Sequence, residues 1–381
     1  MASSTQVNCG VNLRRAREFG SLPHIPGRTA LAYNMMAVLR SAARALAVSA
    51  LALGLMAVFL RNADLGRVVE AVRTARPELL VLAVALTLIT YVVRTERWQY
   101  LLEPLGPTHF GVAFRTTVIG FAASSVLPAR AGEVLRPYLL ARREGLSATA
   151  TFATIVVERI LDLVAILLLL ATYLLVFDPG MAARDSTLYA AVRLGGLVMA
   201  PVALASMIAM YVLAGHPDWL RAWVARAEAV LPTRIASALG RLIRLFASGI
   251  GVLRRPERLL ASLGWSVVLW LVICGETWAV AQAFHIDMPM AGSWLMLALL
   301  VVGVAVPTPG AVGGFHEAFR LGATAFFGAD NDAAVGAAIL LHATSFVPVT
   351  VLGFWFAVQD GLNLQRLKQV TQTSEPAEVK A

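Results

Sequence analysis

Residues 126–140 read VLPARAGEVLRPYLL, and residues 306–322 read VPTPGAVGGFHEAFRLG. In both stretches an apolar run ends at a proline, glycine follows, and a helix opens with Glu-x-x-Arg. Each stretch continues a short apolar segment rich in small residues, 110–127 in the first case and 292–306 in the second. Apolar half-segments interrupted by Gly and Pro at matching positions are typical of cavity-lining elements in transporters. We therefore expect two re-entrant helical hairpins.

The composition places this chain in a membrane. Hydrophobic residues make up 58% of its 381 residues and charged residues only 14%, whereas about a quarter of residues are charged in ordinary soluble domains. A water-soluble globular protein is excluded, and the predicted fold class is an all-α polytopic membrane protein with about six full spans plus the two hairpins. The expected spans are 43–60, 78–94, 148–177, 188–213, 262–284 and 334–358.

The charge pattern sets the expected domains and orientation. Residues 1–40 read as a disordered basic leader, 41–360 as the transmembrane domain, and 361–381 as a polar tail. Residues 214–261 read as an amphipathic basic connection on the membrane surface. The net charge of +9 sits between apolar spans, so no nucleic-acid partner is expected. The positive-inside rule predicts that both termini lie in the cytoplasm, and we expect the chain in the cell inner membrane.

The two halves of the chain read as a repeat, approximately 78–177 and 262–358. Downstream of the hairpins, Gly145 to Arg159 aligns without gaps with Gly328 to His342. If both hairpins return to the side they entered from, they enter from opposite faces. Such inverted repeats place the substrate near the bilayer midplane.

Charged residues lie inside the expected span 148–177. About ten residues of helix at 1.5 Å each put Arg159 roughly 15 Å deep, near the bilayer centre. Glu158 and Asp162 accompany it, and Asp162 at i+3 is its expected partner. Ionisable residues at this depth mark substrate pathways, although an ion pair that only joins two helices remains the alternative.

Turn glycines, hairpin charges and midplane charges together define the expected substrate pathway. Free N–H groups at helix starts bind anions, arginines attract an anionic headgroup, and carboxylates compensate charge or take up protons. The pathway residues are Arg130, Gly132, Glu133, Arg136, Glu158, Arg159, Asp162, Pro307, Pro309, Gly310, Gly313, Gly314, Glu317, Arg320 and His342. Arg94, Arg97 and Trp98 are expected at the headgroup interface, where cations and indoles anchor helices.

Enzymatic chemistry finds little support in the sequence. The two cysteines, Cys9 and Cys274, lie far apart, and no metal-ligand spacing, nucleophile elbow or phosphate loop appears. We therefore expect no catalytic residue, no metal site and no cofactor.

Four blocks resemble the flippase-like family named after the transmembrane domain of lysylphosphatidylglycerol synthetase. They are RTERWQYLLEPLG (94–106), LPARAGEVLRPYLLARREGLS (127–147), IVVERILDL (155–163) and PTPGAVGGFHEAF (307–319). The resemblance implies an integral membrane protein that moves a polar lipid between leaflets, with the hairpins and Glu-Arg charges along the path. We expect the membrane domain alone, with no aminoacyl-transferase domain after residue 358.

The expected function is accordingly a flippase-like transporter of a polar or anionic lipid, of the phospholipid or polyprenyl-phosphate type. Two alternatives remain open at this point. One is an intramembrane lipid headgroup transferase, and the other is a non-transporting scaffold that binds envelope-synthesis enzymes. Association into a homo-oligomer is also left open.

Overall fold

The computed structural model describes residues 50–127, 131–177, 186–215, 256–305 and 308–361. These residues form eleven α-helices and no strand. The helices are α1 (Ala50–Leu60), α2 (Leu65–Thr74), α3 (Pro77–Leu102), α4 (Phe110–Val126), α5 (Gly132–Glu144), α6 (Ala148–Thr172), α7 (Ser186–Gly215), α8 (Pro256–Ala283), α9 (Gly292–Ala305), α10 (Gly314–Phe327) and α11 (Asn331–Gln359). The expected leader, residues 216–255 of the surface connection and residues 362–381 of the tail lie outside the described residues.

Five candidate membrane spans confirm an all-helical, multi-pass membrane protein. The spans are Pro77–Leu105, Ala148–Phe177, Thr187–Ala209, Glu257–Ala283 and Asn331–Gln359. They coincide with five of the six expected spans. The remaining one, 43–60, is described only from Ala50, so the sixth span stays a prediction.

Among the described helices that are too short to cross a bilayer, four pack in two pairs. Helices α4, α5, α9 and α10 have 17, 13, 14 and 14 residues, while a span needs about 20. Helix α4 packs on α5, and α9 packs on α10. A Cβ on Gly120 would lie 2.7 Å from Cβ of Arg136, and one on Gly303 would lie 2.8 Å from Cβ of Ala318. Each pair therefore depends on a glycine at its closest approach.

The same helix-capping pattern occurs in both halves of the chain. Helices α5 and α10 end at Gly145 and Gly328, whose φ angles of 69° and 62° are left-handed and cost glycine little. Shortly after, side-chain oxygens of Ser147 and Asp330 accept backbone N–H groups and start α6 and α11. The chain thus changes direction in the same way at both places.

The helix neighbours also repeat. Helix α3 contacts α4, α6, α8 and α11, and α8 contacts α9, α11, α3 and α6. Likewise α5 packs on α6 and α10 on α11, while α4 meets α11 and α9 meets α6. Helices α3, α4, α5 and α6 therefore correspond in order to α8, α9, α10 and α11. When each helix is exchanged for its counterpart, the list of contacting pairs stays the same.

Two apolar cores surround a charged interior. The larger core packs α1 and α2 against the second half through residues such as Phe59, Phe284 and Phe319. The other joins α3, α5 and α6 through Trp98, Leu140 and Leu161. Buried charged side chains of α3, α5 and α6 lie beside this second core.

Candidate functional site

A charged cluster is centred on Glu158 of α6, whose side chain is 0% exposed. Arg136 of α5 places Nη1 3.1 Å from Oε1 of Glu158, and Arg97 of α3 places Nη2 3.1 Å from the same oxygen. Arg159 adds a contact of 2.9 Å from Nη2, and Arg94 one of 3.6 Å from Nη1. One carboxylate therefore holds guanidinium groups from three helices.

Asp162, one turn further along α6, extends the cluster to α8. Arg97 donates from Nη1 to Asp162 and, at 2.9 Å, to Oγ of Ser266. Trp270 donates from Nε1 to Asp162 at 3.0 Å. Arg159 Nη1 lies 3.5 Å from Oδ2 of Asp162, so the pair expected from the sequence is observed.

Aromatic rings and hydroxyls fix the guanidinium planes. The guanidinium carbon of Arg136 lies 3.8 Å from the ring centre of Trp98, and that of Arg94 lies 4.7 Å from the ring centre of Phe121. Arg136 also donates from Nε to Oγ1 of Thr117 at 3.1 Å. Cations stacked on desolvated rings gain about 2 kcal/mol, which favours the ordered orientation seen for these two arginines.

Guanidinium groups outnumber the carboxylates of this cluster. Four arginines share Glu158 and Asp162, and several buried N–H groups have no hydrogen-bond acceptor among the described residues. These groups are Arg94 Nε and Nη1, Arg97 Nε, Arg136 Nη2 and Arg159 Nε. Buried donors are normally satisfied, and leaving one unpaired costs about 1–3 kcal/mol. Such donors are suited to an anion.

A cavity of about 280 Å³ opens beside the cluster, where the two short-helix pairs meet. Arg94, Arg136 and Arg159 line it. The α4–α5 pair contributes residues that include Gly120, Ser124 and Glu133, and the second pair with its turn contributes Val304, Thr308, Gly310 and Phe315. Both pairs therefore line one cavity, in which the arginine side chains lie among apolar residues.

A carboxylate of α8, Glu276, also lines the cavity and is 4% exposed. Ser345 of α11 donates to its Oε1 at 2.6 Å, Thr344 lies 3.4 Å from the same oxygen, and Thr87 of α3 is within hydrogen-bond reach. Within the described residues, no Lys, Arg or His forms an ion pair with Glu276. No three His, Cys, Asp or Glu side chains in these ranges group as metal ligands would.

Most pathway residues expected in the first half surround this cavity. Gly132, Glu133, Arg136 and Arg159 line it, while Glu158 and Asp162 hold its arginines from behind. Arg136 was expected on one helix face with Glu133, and its guanidinium binds Glu158 of the next helix. Arg130 and Pro307 lie outside the described residues.

Second-half residues are divided between the cavity and its surroundings. Gly310 lines the cavity from the turn Pro309–Ala311, and Gly313 and Gly314 open α10. His342 places Nε2 2.7 Å from the carbonyl oxygen of Gly310 and so contacts the turn. Arg320 donates to Glu317 at 2.8 and 2.5 Å, and neither side chain is among those that line the cavity.

The residues expected at the headgroup interface are buried in the helix bundle, and their depth in the membrane stays a prediction. Arg94, Arg97 and Trp98 are 6%, 0% and 0% exposed, because ion pairs to Glu158 and Asp162 draw the arginines inward. Sequence reasoning also missed Glu276. It is an ionisable residue within an apolar span, and the rule applied to Arg159 would have found it.

Comparison with known proteins adds two relatives. Over 101 residues the chain is 29% identical to a protein named UPF0104 membrane protein from Methanocaldococcus jannaschii, covering 26% of this chain and 30% of that protein. Over 360 residues it is 24% identical to one named glycosyltransferase AglD from Haloferax volcanii, covering 88% of this chain and 56% of that protein. The chain therefore matches about a third and about half of the length of these two relatives.

A family match covers the whole region that holds the cavity. A sequence model of the family described as "Lysylphosphatidylglycerol synthase TM region" matches residues 44–353. All helices that line the cavity fall in this range, apart from the last residues of α11. The chain belongs to the lysylphosphatidylglycerol synthase transmembrane-region family.

Proposed function

We propose that this protein is a flippase-like transporter that moves a polar or anionic lipid between the leaflets of the inner membrane. The observation that carries the proposal is the cavity between the two short-helix pairs, lined by arginines with unpaired buried N–H groups. A phospholipid or a polyprenyl phosphate offers the phosphate oxygens these groups lack. Because guanidinium groups bind phosphate through paired N–H donors, the headgroup is the part of the lipid that enters.

Inverted-repeat architecture is the second part of the proposal. The short pairs α4–α5 and α9–α10 are suited to re-entrant hairpins that enter from opposite faces, with both termini cytoplasmic. Matching caps at Gly145 and Gly328 and the repeated helix neighbours support the repeat. In such folds one half rocks against the other around a central site, so each hairpin would close one side of the cavity.

Each side chain of the cavity then has a distinct role. Arg94, Arg136 and Arg159 bind the phosphate, and Glu158 with Asp162 keeps the arginines in position when the cavity is empty. The apolar residues between the hairpins accommodate the start of the acyl or prenyl chain. Broken helices are tolerated at this depth because their backbone faces protein or a wet cavity.

A transfer assay tests the proposal directly. The protein is reconstituted in phosphatidylcholine vesicles with a trace of fluorescent phosphatidylglycerol, and dithionite quenching reports movement between leaflets. Arg94→Gln and Arg159→Gln each remove a charge-assisted hydrogen bond of about 1.5–3 kcal/mol, so transfer should slow by about 10- to 100-fold. Arg142→Gln, an exposed arginine on α5, is the matched control. Equal rates in all four proteins would contradict the phosphate contact.

An intramembrane headgroup transferase is the second candidate. Two carboxylates, Glu133 and Glu276, line the cavity and offer acid and base groups, and one relative is named a glycosyltransferase. Mass spectrometry of the recovered lipids separates the two functions, because a transferase yields a lipid of altered mass while a transporter returns the lipid unchanged. A scaffold for envelope enzymes predicts instead that both arginine variants keep full activity in cells.

A further inference from the structure

Glu276 is a buried carboxylate for which the proposed phosphate contact provides no role. It lies on α8 and receives hydrogen bonds from hydroxyls of α11, with Thr87 of α3 in reach. Hydroxyls can donate a hydrogen bond to a carboxylate and can equally accept one from the O–H of a carboxylic acid. This hydrogen-bonding environment can therefore accommodate Glu276 in either protonation state without moving a helix.

The charged and titratable groups around Glu276 come from several elements. Helix α3 contributes Tyr91 and Arg94 to the cavity that holds Glu276, α5 contributes Glu133 and Arg136, and α6 contributes Arg159. Arg97, Glu158 and Asp162 lie behind these arginines, and His342 of α11 contacts the turn at Gly310. Helix α9 has no titratable residue, and Cys274 is the neighbouring thiol on α8 itself. Tyr91 lies within electrostatic reach of Glu276, Arg94 and Arg136 together. Arg94, Arg136 and Arg159 therefore line the same cavity as Glu276.

We propose that Glu276 is a proton-binding site whose occupancy is coupled to that of the neighbouring anion site. In the empty cavity the hydroxyl hydrogen bonds from Ser345 and Thr344 stabilise the ionised carboxylate. An anionic headgroup adds a negative charge to the same cavity, so a proton from water adds to a carboxylate oxygen. One negative headgroup and one proton then enter together, and the charge of the cavity is unchanged.

This inference rests on the proposed function, because it needs an anion at the arginines. Its consequence is reciprocal: if the lipid promotes protonation, protons promote lipid binding. If one proton binds with each lipid, the affinity for the lipid falls about tenfold for each unit by which the pH rises. This holds over the pH range in which lipid binding takes up the proton. A pH difference across the membrane would then bias the direction of lipid movement.

A different role for Glu276 would give a different result. If it holds an ammonium or hydroxyl group of the headgroup, it stays ionised throughout and no proton is taken up. Lipid binding would then be independent of pH over the range in which phosphodiesters stay charged. Counting protons separates the two roles without any transport assay.

The experiment is calorimetric titration of the purified full chain with short-chain phosphatidylglycerol in two buffers of different ionisation enthalpy, from about pH 5 to about pH 8. The probe is a phosphodiester and keeps its charge in this range. Wild type, Glu276→Gln and Glu257→Gln are compared; Glu257 is an exposed carboxylate at the start of the same helix. In vesicles, the same three proteins are tested for transfer driven by an imposed pH difference.

For the wild type and Glu257→Gln we expect uptake of close to one proton per lipid bound and a transfer rate that follows the pH difference. Glu276→Gln should bind with almost no proton uptake and lose that response. Lipid binding without proton uptake by the wild type overturns the coupling and leaves the transporter proposal standing. Uptake by Glu276→Gln equal to that of wild type also overturns it. If the wild type neither binds nor moves the lipid, the phosphate contact itself fails, and the coupling fails with it.

Discussion

The contacts of Arg97 in the first half and of Glu276 in the second half occupy corresponding positions in the two halves of the chain. Both residues lie equally far from the proline that opens their helix, Pro77 in α3 and Pro256 in α8. Arg97 binds Asp162 of α6 and Ser266 of α8. Glu276 binds Ser345 of α11, with Thr87 of α3 in reach. Measured from the start of each helix, these partners also correspond.

Corresponding positions in the two halves thus hold an arginine in one half and a carboxylate in the other. The first half joins its helices with ion pairs, and the second half joins them with hydrogen bonds from neutral hydroxyls. Removing one partner of a buried ion pair costs about 3–5 kcal/mol, because the other charge is left behind, whereas a neutral hydrogen bond contributes about 1 kcal/mol. The comparison indicates a tightly held first half and a second half that can rearrange at lower cost.

The largest effect is expected for Glu158→Gln. This change removes the carboxylate that pairs with Arg94 and Arg136, while Arg97 and Arg159 keep Asp162. The free energy of unfolding should therefore fall by about 3–5 kcal/mol. Unfolding in detergent micelles, followed by tryptophan fluorescence, measures the loss. Glu96→Gln, an exposed carboxylate on α3, is the control. A loss no larger than that of the control would show that ion pairs do not hold the first half.

The next largest effects are expected for glycines at the contacts within the α4–α5 and α9–α10 pairs. Gly120→Ala and Gly303→Ala each add a methyl group against a packed carbon, and overpacking costs about 1–3 kcal/mol. Gly120 faces Arg136, so only Gly120→Ala should also displace a cavity guanidinium and slow lipid transfer. Gly111→Ala, where the added methyl group meets open space, is the control. Equal transfer by the two packed variants would mean that the position of Arg136 is unimportant.

Much of the fold could be predicted because apolar length and turn chemistry are local properties. Twenty or more apolar residues identify a span wherever its neighbours lie, and Pro with Gly marks the ends of the short helices. Capping at Gly145 and Gly328 follows from the same local signals. The entry side of each short pair depends on the surrounding bilayer and stays a prediction.

The site was harder to predict, because burial depends on which helix face meets another helix. Arg94 and Arg97 follow an apolar run, a position typical of interfacial anchors, and nothing in α3 alone reveals that α6 supplies Glu158 and Asp162. Glu276 lacks a charged neighbour in sequence and was overlooked beside the denser charges of the hairpins. Its partner Ser345 aligns with Asp162, but a serine gives no signal until the fold is known.

Ser345→Ala is expected to have a smaller effect than any change in the charged cluster. It removes one donor to Glu276, so the free energy of unfolding should fall by about 0.5–1.5 kcal/mol. Asp162→Asn, at the corresponding position of the first half, should cost several times more. Ser262→Ala, which loses a hydrogen bond to its own helix, serves as the control. Equal losses for Ser345→Ala and Asp162→Asn would contradict the contrast between the halves.

The smallest effect is expected for Arg320→Gln, which sharpens the comparison between Arg320 and Arg136. Both arginines follow Glu-x-x in their hairpins, yet Arg320 pairs with Glu317 in a partly exposed position, with side chains 17% and 20% exposed. Such pairs contribute about 0.2–1 kcal/mol, and the unfolding free energy of Arg320→Gln should fall by no more. Arg136→Gln removes a buried cation that is stacked on Trp98 and paired with Glu158, so it should be severely destabilised. If Arg320→Gln proved as damaging as Arg136→Gln, the α9–α10 pair would carry a charge site equivalent to that of the α4–α5 pair, and the contrast between the two halves would be lost.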